Sequence, residues 1–507
     1  MKKLLILLFL WSNSLNAQFD YFWLDIDDQN LWDLGEEAVE TDSHYFFTVA
    51  TFSPWAPSIA QILRVDKENL HTDFFPLNYY YAGTLQQMEM TPSGTIILAG
   101  SFYDGAIETD NGQLFMLEID PETMDTLRSI TFGKPGWNDN ISRLILTQDG
   151  GVAITGWSFD ADPSTKQSIF LFKADSLWNQ EYFNLYAQVP NRNHFGNSLI
   201  QTPDGGFFIV GNRQMDQDYF MDQAILLKVD SGGNFQFWKN ILPVGNEYGL
   251  IAVGVKKKIN GNYLAVGNKI VTTTGVAQDM QYWAFEFDSD GEVIWSDTYG
   301  GLPQGAQWES INLAPDGNYL VCGYLRENSH YVNDTLFKRQ YGAIGKLSPE
   351  GELLWHRLYT NEPLNKHVDI FWNAIPTSDG GILCVGTTWG DSLTHQDVWA
   401  VKLDEWGCIE PGCEGPTEVV EVDIAPVEVA VYPDPARDKF TLKLPAPLEK
   451  NAELRLYNMM GQVVKTYSIP SGFEEYPFLL PAVQCGLYFY SLSVDEEIIA
   501  SGKLIKE

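Results

Sequence analysis

The sequence predicts an all-β protein: a β-propeller of about seven four-stranded blades, followed by a small C-terminal β-sandwich. Three observations predict it. A phrase of turn plus strand ending in glycine recurs along the chain, most fully as Thr202-Pro203-Asp204-Gly205-Gly206-Phe207-Phe208-Ile209-Val210-Gly211. Downstream of each copy runs a second apolar phrase that often begins with Gln and ends with Asp, as in Gln223 to Asp230. From Val429 the repeats give way to a different set of short strands.

Asp-Gly and Gly-Gly supply positive φ for a tight turn, and Pro203 presets φ before it. Phe207 to Val210 are aromatic and β-branched, as in a strand buried on both faces. Further copies end at Gly100, Gly156, Gly267, Gly323 and Gly386. A degenerate first copy, Asp42 to Ala50, has Ala50 at the terminal glycine position. The spacing, roughly 50 to 63 residues, is that of propellers and arrays. A semi-apolar strand precedes each turn, and a Trp-bearing strand such as Glu292 to Tyr299 ends each unit. The last copy, Ser378 to Asp404, lacks its Trp-bearing strand, and Phe19 to Leu24 resembles the missing one. Residues near 19–25 are therefore expected to complete the final blade, closing the ring and removing free sheet edges.

Met1-Lys2-Lys3, the apolar run Leu4 to Trp11 and the small residues ending at Ala17 read as a signal peptide over 1–17. The propeller is expected over 18–407, an acidic Pro/Gly linker over 408–428, and the sandwich over 429–507. No later run is long enough to span a bilayer. The formal net charge of −35 argues against nucleic acid or an anionic membrane surface as partner. Of five cysteines, Cys322 and Cys384 lie in repeat strands and read as small buried hydrophobes, whereas Cys408 and Cys413 are placed for a local disulfide.

The sequence holds no catalytic motif, and no His/Cys cluster has metal spacing. Asp288-Ser289-Asp290-Gly291 and Asp25 to Asn30 carry oxygen ligands suited to Ca2+; the first lacks the later ligands of an EF-hand loop and reads as a turn. The loops leading into the first strand of each blade carry Trp137-Asn138-Asp139, His194, Glu247-Tyr248, Trp308-Glu309 and His367 with Asp369. Aromatics beside carboxylates and amides suit a glycan or a cation, and Asp139, Glu309 and Asp369 are the carboxylates a hydrolase would use.

The C-terminal segment carries Val431-Tyr432-Pro433-Asp434-Pro435-Ala436, then Leu456-Tyr457-Asn458-Met459-Met460-Gly461-Gln462, Gly486-Leu487-Tyr488 and Gly502-Lys503-Leu504. In order and spacing these resemble the type A C-terminal sorting domain of the Bacteroidota type IX secretion system, with Asp434 where that family has Asn. The resemblance covers 429–507 alone. It implies export through the outer membrane by the type IX machinery as partner, then removal of the domain, with the passenger released or attached to the surface. The repeats more loosely resemble the secreted propeller-like repeats that accompany this domain. Asp125-Thr126-Leu127, Asp175-Ser176-Leu177, Asp334-Thr335-Leu336 and Asp391-Ser392-Leu393 resemble Bacteroidota O-glycosylation sites. The reading is a non-enzymatic secreted or cell-surface protein binding a glycan or protein partner through one propeller face. A polysaccharide hydrolase or lyase, or a structural surface component, are the alternatives.

Overall fold

The computed structural model describes residues 23–506 except 27–31, 54–55, 78–82, 104–111, 135–136, 161–165, 216–221, 242–248, 274–277, 300–304, 327–329, 333–334, 362–365, 390–395, 410–428, 434, 438, 445, 449, 458–462, 473–474, 481–485 and 495–496. The described residues form strands and turns and no helix. The chain divides into two compact units, Met1–Gly415 and Pro416–Glu507. The expected signal peptide and most of the expected linker, including Cys413, lie outside the described residues.

The strands of the first unit fall into antiparallel groups that run in chain order. Gly83–Met90 to Thr126–Phe132 form one, Trp137–Leu146 to Gln180–Tyr186 the next, and His194–Gln201 to Phe235–Asn240 the third. Gly249–Lys257 to Val293–Tyr299 follow, then Gly305–Leu313 to Leu353–Tyr359. Ahead of these stands a group built on His44–Ser53 and Ala56–Asp66. The last group holds Lys366–Pro376, Ile382–Trp389 and Asp397–Leu403. Its fourth strand is Trp23–Ile26, which pairs antiparallel from Trp23 opposite Val401 to Ile26 opposite Val398. Short parallel contacts, Met280 to Gly305 and Lys338–Gln340 to Lys366–Val368, link the last three groups into one 13-stranded sheet. No hydrogen-bond ladder among the described residues closes on itself.

Side chains alternate across a strand, so a strand packed on both faces needs apolar residues at every position. Phe207 and Ile209 enter a core shared with the preceding group, and Phe208 and Val210 a core shared with the following one. Each apolar cluster of the unit draws on two consecutive groups in this way. One of them joins Tyr45, Phe47, Val49 and Leu63 of the first group to Leu383, Val385, Val398 and Ala400 of the last. Tyrosine hydroxyls add ties between groups: Tyr299 donates to the Gly351 carbonyl at 2.6 Å, and Tyr186 to that of Gly233 at 2.5 Å. Cys322 and Cys384 are buried free thiols, and Cys408 is disulfide-bonded.

The Asp of the recurrent turn has a partner that the phrase does not show. The Lys228 ammonium, buried on the third strand, donates to Thr202 Oγ1 at 2.7 Å and to Asp204 at 3.1 Å. Lys173 with Asp149, Lys346 with Asp316 and Lys402 with Asp379 repeat the pair at 2.6–2.8 Å. A Cβ on Gly206 would stand 2.3 Å from the Val229 carbonyl oxygen and 2.7 Å from the Lys228 nitrogen, so the second glycine admits the neighbouring backbone and the lysine together. Where the turn carries Lys258 instead, the third strand carries Glu286 and the pair is inverted, at 2.5 Å.

The second unit has a three-stranded sheet ordered Ala430–Tyr432, Lys439–Lys443, Glu475–Leu479, and a four-stranded one ordered Val463–Ile469, Ala452–Tyr457, Gly486–Val494, Glu497–Lys506. Phe440, Leu442, Leu454, Leu456, Tyr490, Leu492 and Leu504 of the two sheets share one core.

The glycine that ends each repeat phrase is explained by close approach. A Cβ on Gly156, Gly211, Gly267 or Gly323 would lie 1.9 Å from a carbonyl oxygen of the neighbouring strand, that of Asn140, Phe195, Ile251 or Gln307. Gly317, in the turn before Gly323, has open space and needs only its φ of +84°. Replacing Gly317 with Ala should cost roughly 1–2 kcal/mol, the penalty of a left-handed backbone. Gly323→Ala should cost ~3 kcal/mol or more, because backbone must move. Denaturant unfolding of the two variants checks the order, and equal losses would refute the close-approach account.

Candidate functional site

Opposite each close-approach glycine the first strand of the group carries one unmatched residue. The register slips at Gln86, Ser142, Asn197, Val253, Glu309 and Trp372, each a β-bulge. In the first group, where Ala50 replaces glycine, the first strand is broken instead. Trp32–Leu34 and Ala38–Glu40 flank Gly35-Glu36-Glu37, and Thr48 Oγ1 accepts from the Glu36 and Glu37 amides at 3.2 and 2.9 Å. Glu36 and the six bulge residues come from different groups, yet all line a single cavity of about 230 Å³. Glu37, Arg143, Lys256 and Ser310 add to its wall. The bulges thus bring one free side chain from each group to a common point.

The cavity is polar and unevenly charged. Arg143 donates to Glu37 at 2.8 Å and lies 3.8 Å from Glu89. Burial opposes its charge, but Glu37 and Glu89 outweigh that and hold its pKa above the usual value. Asn373 donates to the other Glu37 oxygen and accepts from Asn312 at 2.7 Å. Burial still pushes Glu37 up to about 7 against the pull of Arg143. Burial also brings Lys256 down to about 8, helped by Arg143. Glu36 rises to about 8 through burial and the neighbouring Glu37, and Glu309 to about 8 through burial. Neither Glu36 nor Glu309 has a side-chain hydrogen-bond or ion-pair partner among the described residues. At neutral pH both carboxyls therefore hold protons, and can donate as well as accept.

Of the residues singled out in the sequence, only Glu309 faces this cavity. Asp139, His194 and Asp369 are buried, each three residues before a bulge. Asp139 accepts from Ser158 Oγ and from the Lys134 amide, and burial raises its pKa. Asp369 accepts from Thr388 Oγ1 at 2.6 Å and from the Asn361 amide at 3.2 Å. Asp33 stands at the same place in the first group and accepts from Thr51 Oγ1 at 2.5 Å. His194 Nδ1 lies 2.8 Å from the Arg192 carbonyl, while Nε2 accepts from the Gln188 and Val189 amides, so the ring is neutral and burial lowers its pKa to about 4. These polar groups are spent on holding loop backbone and the adjacent strand, which removes them from ligand contact. Trp308 is fully buried and stacks on Tyr282 at 3.7 Å. Trp137 is half-buried under Lys134, 4.6 Å from its ring centre, and Asn138 is half-buried beside it. Glu247, Tyr248 and the His367 side chain lie outside the described residues.

Asp288 accepts from the Asp290 and Glu292 amides at 2.9 Å, the bonding of a turn. The side chains of Asp25 to Asn30 lie outside the described residues. Thr126-Leu127 and Ser176-Leu177 are exposed, and the other two glycosylation-like phrases are not described. In the second unit Tyr432, Pro433, Pro435 and Lys503 are exposed, Tyr488 is buried, and Tyr457 Oη lies 3.0 Å from Ser491 Oγ. Gly486 opens a strand, and Asp434, Asn458 and Gly461 are not described.

Fold and site together define an all-β protein with a propeller-like repeat unit, a polar cavity where its groups converge, and a separate C-terminal β unit. Residues 430–507 match the secretion system C-terminal sorting domain. The chain is thus a type IX secretion substrate, and its tail directs export across the outer membrane to the cell surface or extracellular space. No curated protein matches it. Among solved structures, a protein of unknown function from Dyadobacter fermentans is similar at 11% identity and TM-score 0.42, over 74% of this chain and 96% of that one. An α-L-arabinanase from Penicillium chrysogenum, complexed with arabinobiose, gives 13% and 0.41 over 63% and 92%. The β-propeller domain of the Trilobed protease from Pyrococcus furiosus gives 11% and 0.35 over 66% and 100%.

The raised Glu309 pKa has a stability consequence. An unfolded chain releases this proton near pH 4.5, whereas the folded protein keeps it to about 8. Folding then binds a proton between those values, so stability falls as pH rises through that window and is flat below it. Burial raises the pKa of Cys322 and Tyr324, and the field of Glu309 adds to each rise. Glu309→Gln removes the titration while keeping the shape. Its melting temperature should gain on the parent by about 2 °C or more between pH 5 and pH 8.5. A constant offset across that range, in thermal scans, would contradict the assigned shift.

Proposed function

We propose that the chain is a non-enzymatic binding protein of the cell surface or its surroundings. Its repeat unit works as a closed seven-bladed propeller over 18–407, connected by the linker 408–428 to the sorting domain over 429–507. Two observations support the closed ring: the core shared by the first and last groups, and the pairing of Trp23–Ile26 with Asp397–Leu403. The partner is a glycan or a surface protein, and the cavity with its mouth is where it is read. The observation that carries this reading is the convergence of unlike side chains, Glu36, Gln86, Ser142, Asn197, Glu309 and Trp372, on one point of an otherwise repetitive scaffold. Binding sites are built from such a few polar groups converging in a concavity.

One observation favours the enzyme alternative. Glu36 and Glu309 both carry protons at neutral pH, as the general acid of a glycosidase does. Against it, Glu37 of the cavity wall is engaged on both oxygens, by Arg143 and by Asn373, and does not stand free as a base. The purified exported chain should retain polysaccharide or surface protein without releasing reducing ends. Product formation by the parent that disappears in a Glu36→Gln, Glu309→Gln double variant would establish the hydrolase instead.

The sorting role of the second unit has its own check. Deleting Val429–Glu507 should leave the repeat unit folded and held in the periplasm, scored by fractionation. Normal appearance of the truncated chain in the medium or at the surface would overturn the assignment.

A further inference from the structure

We propose that the central cavity binds a primary ammonium group carried on a small polar molecule. This deepens the binding reading above and rests on it. The argument begins with what the cavity lacks. Gln86 is 8% exposed, lines the cavity, and its Oε1 is buried with no hydrogen-bond donor. A buried carbonyl oxygen without a donor is costly, and such an atom in a native fold calls for an occupant that supplies one. Glu36 and Glu309 line the same cavity and have no side-chain partner among the described residues.

The charges point the same way. Arg143 is engaged by Glu37 and Glu89, and Lys256 lies in the field of the same two carboxylates. Those four groups balance, two positive against two negative. Glu36 and Glu309 remain, protonated and with no cation to ionise against, and with Gln86 Oε1 they make three polar groups without a partner. A primary ammonium carries one positive charge and three N–H donors, which answers both deficits at once. On its arrival one carboxyl, that of Glu309, gives up its proton to solvent and becomes the counter-charge, while Glu36, beside Glu37, keeps its own. Trp372 contributes an aromatic ring to the lining, a surface that favours cations over neutral groups. The chain's net charge of −35 draws cations towards any cleft it contains.

A metal ion answers the charge deficit less well. Among the described residues no group of three or more His, Cys, Asp or Glu side chains is placed to hold one. The volume of about 230 Å³ suits a compact molecule.

The test compares charged and uncharged twins on the full exported chain by calorimetric titration: ethanolamine against ethylene glycol, and glucosamine against glucose, with calcium chloride as the metal probe. At least one amine should bind at least tenfold tighter than its twin. Glu309→Gln, which keeps hydrogen bonding and removes the charge, should weaken that amine tenfold or more and leave the twin unchanged. Because the twin comparison is made on the parent protein, it stands even if the variant does not fold. Equal affinity of amine and twin, silence of all amines, or calcium binding with inert amines would each overturn the proposal. A chain that captures glycan or protein while ignoring amines fails this inference alone. A chain that cleaves polysaccharide fails the reading it rests on.

Discussion

The contact on which the repeat unit depends is that of a glycine against the carbonyl of a bulged strand. With carbonyl oxygens about 1.9 Å from where a Cβ would sit, no other residue fits at Gly156, Gly211, Gly267 or Gly323. The approach exists because the first strand holds one residue more than the second can pair. The bulge bends that strand and turns the surplus side chain out of the sheet. The second and third strands are committed: alternate residues go to the two flanking cores, and the turn carboxylate goes to a buried lysine. The surplus residue is the one place where a group can differ from its neighbours at little structural cost.

The first group shows what happens when the contact is not made. Ala50 occupies the glycine position, and the first strand cannot bulge against it. It parts into Trp32–Leu34 and Ala38–Glu40, and the chain between them is held by Thr48. Two adjacent carboxyls, Glu36 and Glu37, enter the cavity there, where the other groups supply one bulge residue each. The placing of two buried carboxyls, whose burial lifts both Glu36 and Glu37, thus begins with a methyl group on a neighbouring strand.

Strands and turns were legible because their signals are local. A run such as Phe207 to Val210 and a turn such as Asp204-Gly205 declare themselves without reference to a partner. The lysine partners were less legible, although their trace is present: Lys173, Lys228 and Lys402 each stand two residues before the Asp that ends the third strand, and Lys258 with Glu286 exchanges the signs. The site was the least legible part. Asp139, His194 and Asp369, in the segments entering the first strands, stand three residues ahead of the bulge residues that line the cavity. At that offset, burial turns Asp139, His194 and Asp369 into anchors for loop backbone. A bulge is a property of register between two strands, and register cannot be read from one strand alone.

A scaffold of this kind separates the two tasks its sequence must perform. The repeated residues answer to each other across group boundaries, so a change at one is felt by two cores. The bulge residues face the cavity, and among them Asn197 and Trp372 also bond to the scaffold, at Asn212, Ala252 and Thr387. Glu36, Gln86, Ser142, Asn197, Val253, Glu309 and Trp372 share neither size, charge nor polarity, which a purely structural ring would not require. At that ring two protonated carboxyls without a side-chain partner stand beside an unpartnered Gln86 oxygen. Such a concentration of unmet polar groups, at the residues least constrained by packing, is the physical signature of a site kept for an occupant.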